Sequence, residues 1–272
     1  MRYGVYKLWG LLMRLTSTGL IAFAATIAAT TIARSADLPV KAPAPPVTVP
    51  YNWTGSYIGG NIGYGWGRDA IDLTSSGIAV PVSLADNPRG VVGGIQYGTN
   101  WQFNRFVLGW DSDFVFTGIK ASETVFTVPG GIATGTSAEQ KLEWLSTTRG
   151  RLGYLITDNL LLFGTGGLAS GRVSANTIIT QVGCPIGGCL AGSDSRTQWG
   201  WAAGGGLEYA IGHWLVRAEY LHYDLGDLNY NVVDPRTAAL VAATNKVSGD
   251  IVRGALSYKF DWTFWDLLFG RR

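Results

Sequence analysis

Charge is scarce in this chain. Acidic and basic residues fill 15% of its 272 positions, against about 25% in soluble domains, and 21 basic and 19 acidic residues leave a net charge of only +2. No basic run with interleaved aromatics is present, which excludes the electrostatic track a nucleic-acid backbone needs. Long hydrophobic runs are missing too. After residue 36 no stretch of about eighteen apolar residues remains, so helices cannot carry the chain across a membrane and only strands can span. Histidine and cysteine number two each. Two cysteines without a nearby His are too few ligands for a structural zinc. His213 falls in an expected turn and His222 shares the parity of Trp214 and Tyr220, so neither is aimed at an interior site where Ser or Asp could complete hydrolytic machinery. Catalytic, cofactor and metal sites are therefore assigned no residues. One alternative stays open at His222: with Tyr220 and Tyr223 close by, it could serve a haem as axial ligand at an outer rim.

Glycine is abundant, with 38 residues, about double the usual share of about 7%. The stretch from Trp199 to Tyr220 shows how it is used. Trp199, Trp201, Ala203, Leu207 and Tyr209 alternate with Gly200, Ala202, Gly204, Gly206 and Glu208, the period of two that marks a strand. A two-residue loop over Ile211-Gly212 would return the chain with Trp214, Val216, Ala218 and Tyr220 on the aromatic face. Gly206 then falls opposite Arg217 and Gly204 opposite Glu219. A soluble sheet would turn a face rich in Lys, Glu and Thr to water. A narrow face of glycine and rare charges instead fits the lumen of a small closed barrel whose aromatic face meets lipid.

The N-terminus carries Arg2, Lys7 and Arg14, an apolar stretch from Leu15 through Ile32, and then Ala33-Arg-Ser-Ala36. This predicts a signal peptide over 1–35. Residues 36–52 hold five prolines and read as an extended periplasmic linker. An exported chain meets oxidising conditions, so Cys184 and Cys189 in Cys-Pro-Ile-Gly-Gly-Cys are expected to form a loop disulfide.

Strand-like stretches follow at 53–67, 88–104, 106–117, 139–156, 160–175, 196–211, 213–226 and 247–260. Connections of about twenty residues at 68–87, 118–138, 176–195 and 227–246 alternate with tight ones near Asn104-Arg105, Thr157-Asp-Asn159 and Ile211-Gly212. Long loops outside and short turns in the periplasm are the rhythm of outer-membrane barrels. Parity then assigns Asp111, Asp113, Glu143, Arg149, Arg151, Glu208, Arg217, Glu219, Arg253 and Lys259 to the lumen. Isolated charges there would cost several kcal/mol each, so a hydrogen-bonded ion network that plugs the barrel is expected, with a charged constriction lining a narrow pore as the alternative. Gly164-Thr-Gly-Gly-Leu-Ala169 resembles a dinucleotide fingerprint on paper, but no helical period follows it.

The mature start, Ala36-Asp-Leu-Pro-Val-Lys-Ala-Pro, with Asn52-Trp-Thr-Gly-Ser-Tyr-Ile-Gly-Gly-Asn-Ile-Gly-Tyr-Gly-Trp66 and the later Gly-Ala-Leu-Ser-Tyr-Lys-Phe260, closely resembles the outer membrane immunogenic protein family of alphaproteobacteria, the porin-like surface antigens. The resemblance implies a small OmpA-like eight-stranded barrel serving as an abundant surface protein; some relatives are associated with haem. The chain departs from that pattern after Phe260, where Asp261 to Arg272 form an aromatic extension.

The expectation is an all-β protein, an eight-stranded antiparallel transmembrane β-barrel over 53–260 with long extracellular loops and short periplasmic turns, in the outer membrane of a Gram-negative bacterium. Its expected partners are outer-membrane lipid, lipopolysaccharide and the barrel assembly machinery. Its expected role is structural and surface-exposed, with haem or host-partner binding through the loops, or passive solute passage, as alternatives.

Overall fold

The structure is a computed structural model that describes residues 50–67, 69–74, 83–128, 133–181, 190–233 and 240–262. The expected signal peptide, most of the linker, Cys184 and Cys189, and the tail beyond Trp262 lie outside the described residues.

One antiparallel sheet contains β1 (Gly55–Gly67), β2 (Asp69–Thr74), β3 (Ser83–Asp86), β4 (Arg89–Phe103), β5 (Phe106–Thr117), β6 (Lys120–Thr127), β7 (Thr134–Thr157), β8 (Leu160–Gln181), β9 (Leu190–Ile211), β10 (Trp214–Val233) and β11 (Leu240–Phe260). Eight of these, β1, β4, β5, β7, β8, β9, β10 and β11, pair in succession, and β1 pairs back with β11. The ring has no free edge, so backbone donors and acceptors can all be met within it, which lipid requires of any spanning structure.

Its exterior is apolar. Ile62, Ile95 and Leu168 are 68%, 65% and 65% exposed, an arrangement that only a hydrocarbon surrounding stabilises. Aromatics border this band at both ends: Phe106 packs on Tyr154 and Trp214 on Tyr258 near the turns, while Phe114 stacks on Trp144 at the far end. From Tyr154 to Trp144, β7 climbs about 33 Å at ~3.3 Å per residue. A strand tilt of ~40° makes that about 25 Å of membrane, the usual height of the apolar belt.

The turns at the lower end are two-residue loops: Asn104-Arg105 between Phe103 and Phe106, Asp158-Asn159 between Thr157 and Leu160, and Gly212-His213 between Ile211 and Trp214. Asn104 (φ 55) and Gly212 (φ 59) open theirs in the left-handed region, which Gly and Asn enter most cheaply. The β9–β10 loop thus sits one residue later than the sequence suggested, because it is Gly212 that must take the positive φ. Pairing shifts by two: Gly206 lies across from Glu219, and Glu208 across from Arg217. An even shift preserves every face.

The larger departure is at the outer end. Much of 118–138, 176–195 and 227–246, expected as long loops, is strand: β6 forms, and β7 to β11 run on past the aromatic border. Their inward residues stay apolar there, with Val173, Ala175, Ile179, Leu228 and Val232 buried, so pairing continues beyond the lipid. Their outward residues turn polar, which made them look like loops.

At the lower end β11 stops at Phe260, and the backbone N–H of Ser56 donates to the carbonyl of Trp262 at 2.9 Å. Ending the chain after Trp262 is therefore expected to leave assembly intact, read as heat-modifiable gel mobility. Failure of that truncation to assemble would mean that the tail carries an insertion signal.

Candidate functional site

Six of the charged residues of the interior come from positions two apart on three strands, Asp111 and Asp113 on β5, Arg149 and Arg151 on β7, and Arg217 and Glu219 on β10. Such pairs point the same way one tier apart. With Glu208 on β9 and Arg253 on β11 they form two stacked rings. In the upper ring, Arg149 reaches Asp113 at 2.9 Å and Glu219 at 2.6 Å, and Arg253 reaches the same two carboxylates at 2.7 and 2.8 Å. In the lower ring, Arg151 lies 4.0 Å from Asp111 and 3.1 Å from Glu208, and Arg217 lies 3.3 and 2.5 Å from them. Each ring holds two arginines and two carboxylates, so each is neutral. All eight side chains are at most 3% exposed.

Glycine opens space for them. A Cβ on Gly167 would come within 2.7 Å of the Arg149 Cα, and one on Gly63 within 2.6 Å of the Arg253 Cβ. Uncharged groups add to the rings. Arg149 donates to Thr147 at 2.9 Å and to Thr165 at 2.7 Å. The Tyr57 hydroxyl accepts from Arg151 at 3.2 Å and from Arg217 at 3.0 Å. The same two guanidinium groups lie 4.2 and 5.1 Å from the centre of the Phe163 ring, a favourable placement of cations over a π face. Tyr57, Thr147, Thr165 and Phe163 were not singled out from sequence, although parity puts them on the inward face.

Apolar clusters close the interior on both sides of the rings. Below are Trp53, Tyr57, Val107, Leu155, Leu161, Phe163, Ala210 and Leu215. Above, a larger cluster runs from Val92, Val115 and Leu145 through Leu221 and Ile251 into the extended strands. Trp53 precedes β1 and is not part of it. Its ring fills the lower mouth, with the indole N–H donating to the carbonyl of Asp158 at 2.9 Å. Beside it Tyr51 stays protonated above the usual phenol range, chiefly through burial and then through the carboxylates of Glu208 and Asp261.

Two of the charges expected in the network lie elsewhere. Lys259 is buried at the lower mouth, where it pairs with Asp261 at 3.0 Å and faces the Tyr51 ring. Glu143 corrects the sequence reading: it is on the outer face, paired with Arg172 at 3.4 Å. A bulge between Leu142 and Trp144 inverts parity there. It falls where the neighbour of β7 changes from β5 to β6, and the Leu142 N–H donates across that corner to the carbonyl of Ile119.

His222 is also on the outer face, 2.8 Å from the Asp250 carboxylate, and His213 stacks on Tyr258 at the lower turn. Gly164 to Ala169 lie inside β8, which runs on as strand to Gln181. No group of three metal-ligating side chains occurs among the described residues.

A closed eight-strand ring with a lipid-facing exterior and a filled, charge-balanced interior defines the class, an integral outer-membrane β-barrel. The sequence matches the outer membrane protein beta-barrel domain over residues 22–260, and the chain belongs to that family. It is 39% identical over 244 residues to the 31 kDa outer-membrane immunogenic protein of Brucella melitensis, covering 85% of this chain and 94% of that protein. It is 28% identical to the 22 kDa outer membrane protein of Rhizobium leguminosarum, over 69% of this chain and 71% of that one. In fold it is similar to the outer membrane protein OprG of Pseudomonas aeruginosa, with a TM-score of 0.50 at 14% identity, covering 77% of this chain and 97% of that one. The protein resides in the outer membrane of a Gram-negative bacterium.

Proposed function

We propose that this protein is a non-conducting, non-catalytic barrel whose role is structural, anchoring an extended sheet of strands at the cell surface. The observation that carries the reading is the closure of the interior: two neutral charge rings between two apolar clusters. A solute would have to part both clusters and unpair buried ions, and each broken pair costs about 3–5 kcal/mol. A lasting water-filled path is therefore strongly disfavoured.

Single-channel recording of the purified barrel in planar bilayers tests the proposal. The expected trace stays at baseline across the voltage range. Reproducible conductance steps that persist in freshly refolded, heat-modifiable protein would overturn it.

A further inference from the structure

Beyond the aromatic border, the outward faces of β7, β8 and β9 carry two cross-strand rows. Lys141, Ser174 and Ser195 form one, and Glu139, Asn176 and Ser193 the next. They line a groove of about 390 Å³, within the range of small-molecule sites, about 300–1,000 Å³. The lower rim of this groove is already ordered. Ser174 donates to Glu143 at 2.8 Å and lies 3.0 Å from Ser195, which accepts from Arg172 at 3.1 Å. Above that rim Lys141, Glu139, Asn176 and Ser193 present both donors and acceptors outward.

Height and charge together select the ligand. The rows begin directly above Trp144, which pairs with Arg172, and above Trp199, which pairs with Ser170 and is 71% exposed. Indole rings mark the membrane interface, so the groove faces the layer occupied by the headgroups of the outer leaflet. The lining acids Glu139 and Asp194 are offset by Lys141 and by Arg196, which pairs with Asp194 at 2.9 Å, and a groove without net charge gives a phosphate no preference. A sugar ring matches it better: its hydroxyls both donate and accept, as the mixed donors and acceptors of the two rows require.

We propose that this groove binds the core saccharide of the lipopolysaccharide surrounding the barrel, so that the extended strands recognise the glycolipid headgroup as well as cross its acyl layer. The proposal is independent of whether the barrel conducts.

The test uses the full mature chain folded in detergent and three probes: lipopolysaccharide with a complete core, lipid A alone, and the core oligosaccharide freed from its lipid. Native mass spectrometry reads the bound fraction of each across a titration. The core-bearing form is expected to bind about tenfold tighter than lipid A, a factor that one or two hydrogen bonds supply, and the free oligosaccharide is expected to compete. The double variant Asn176→Leu, Ser193→Leu should erase the preference while still migrating as a folded, heat-modifiable barrel. If that variant does not fold, Lys141→Met serves instead and should weaken the preference. Asn231→Leu on β10 should leave it unchanged. Equal binding of lipid A and core-bearing lipopolysaccharide, or a preference that survives in a folded groove variant, would overturn the proposal.

Discussion

Glu219→Leu is expected to cost the barrel about 3–5 kcal/mol of unfolding free energy, whereas Tyr220→Leu, one residue along the same strand, should cost less than about 1 kcal/mol. The difference follows from what each side chain faces. Glu219 is 3% exposed and accepts from Arg149 at 2.6 Å and from Arg253 at 2.9 Å. Leucine in its place leaves the upper ring with two arginines and one carboxylate, a net positive charge sealed between apolar layers. Tyr220 looks outward and is 46% exposed, so leucine still offers an apolar surface to lipid, and the hydroxyl bond with Asp250 that it gives up lies at the exposed outer face. Urea unfolding in detergent, followed by tryptophan fluorescence, measures both. Glu143→Leu is the control for charge alone: its bridge to Arg172 is about half exposed on the arginine side, and such pairs contribute about 0–1 kcal/mol. Adding Arg149→Met to Glu219→Leu should recover part of the loss, because ring neutrality returns. Equal losses for Glu219→Leu and Tyr220→Leu would contradict the assignment of inner and outer faces.

Why so much of this was readable in sequence, and why some was not, comes down to local physics. A strand alternates faces whatever its partners are. Asp111, Arg149 and Arg253 could therefore be placed inward before any pairing was known, and the two-residue error in the β9–β10 register did no harm to them. Parity fails where an extra residue enters. Glu143 follows a bulge that depends on β7 changing neighbours beside Ile119, a corner with no local sequence signature. Strand length fails for a different reason. Asn176 and Gly192, in the stretch expected as a loop, are poor strand formers judged singly, and the inward Ile179 and Leu190 beside them are buried in a cluster with strands distant in sequence. Which acid meets which arginine was also out of reach. Neutral rings require the diameter of the barrel, and that is set by closure between β1 and β11.

Trp53→Ala should destabilise the barrel by about 3–5 kcal/mol and yet leave it electrically silent. Trp53 is fully buried and packs edge-to-face on Tyr51 at 5.2 Å. Besides its indole bond, its backbone N–H donates to the Gln102 side chain at 2.8 Å. Alanine keeps the backbone bond, loses the indole, and leaves a cavity between Leu155, Leu161 and Leu215 that the rigid strand ends cannot collapse to fill. Trp53→Phe keeps most of the ring volume and forfeits mainly the hydrogen bond to Asp158, so its cost should be nearer about 1 kcal/mol. Urea midpoints of the two variants against the parent separate packing from hydrogen bonding. Conductance tests the layering. With the lower mouth opened by Trp53→Ala, water could reach Lys259 and the lower ring, but the path would still meet both neutral rings and the upper cluster around Leu145, Leu221 and Ile251. A baseline trace is therefore expected from a measurably weaker barrel. Channel openings from Trp53→Ala would show that the lower cluster alone seals the protein and that the paired arginines and carboxylates border a pore.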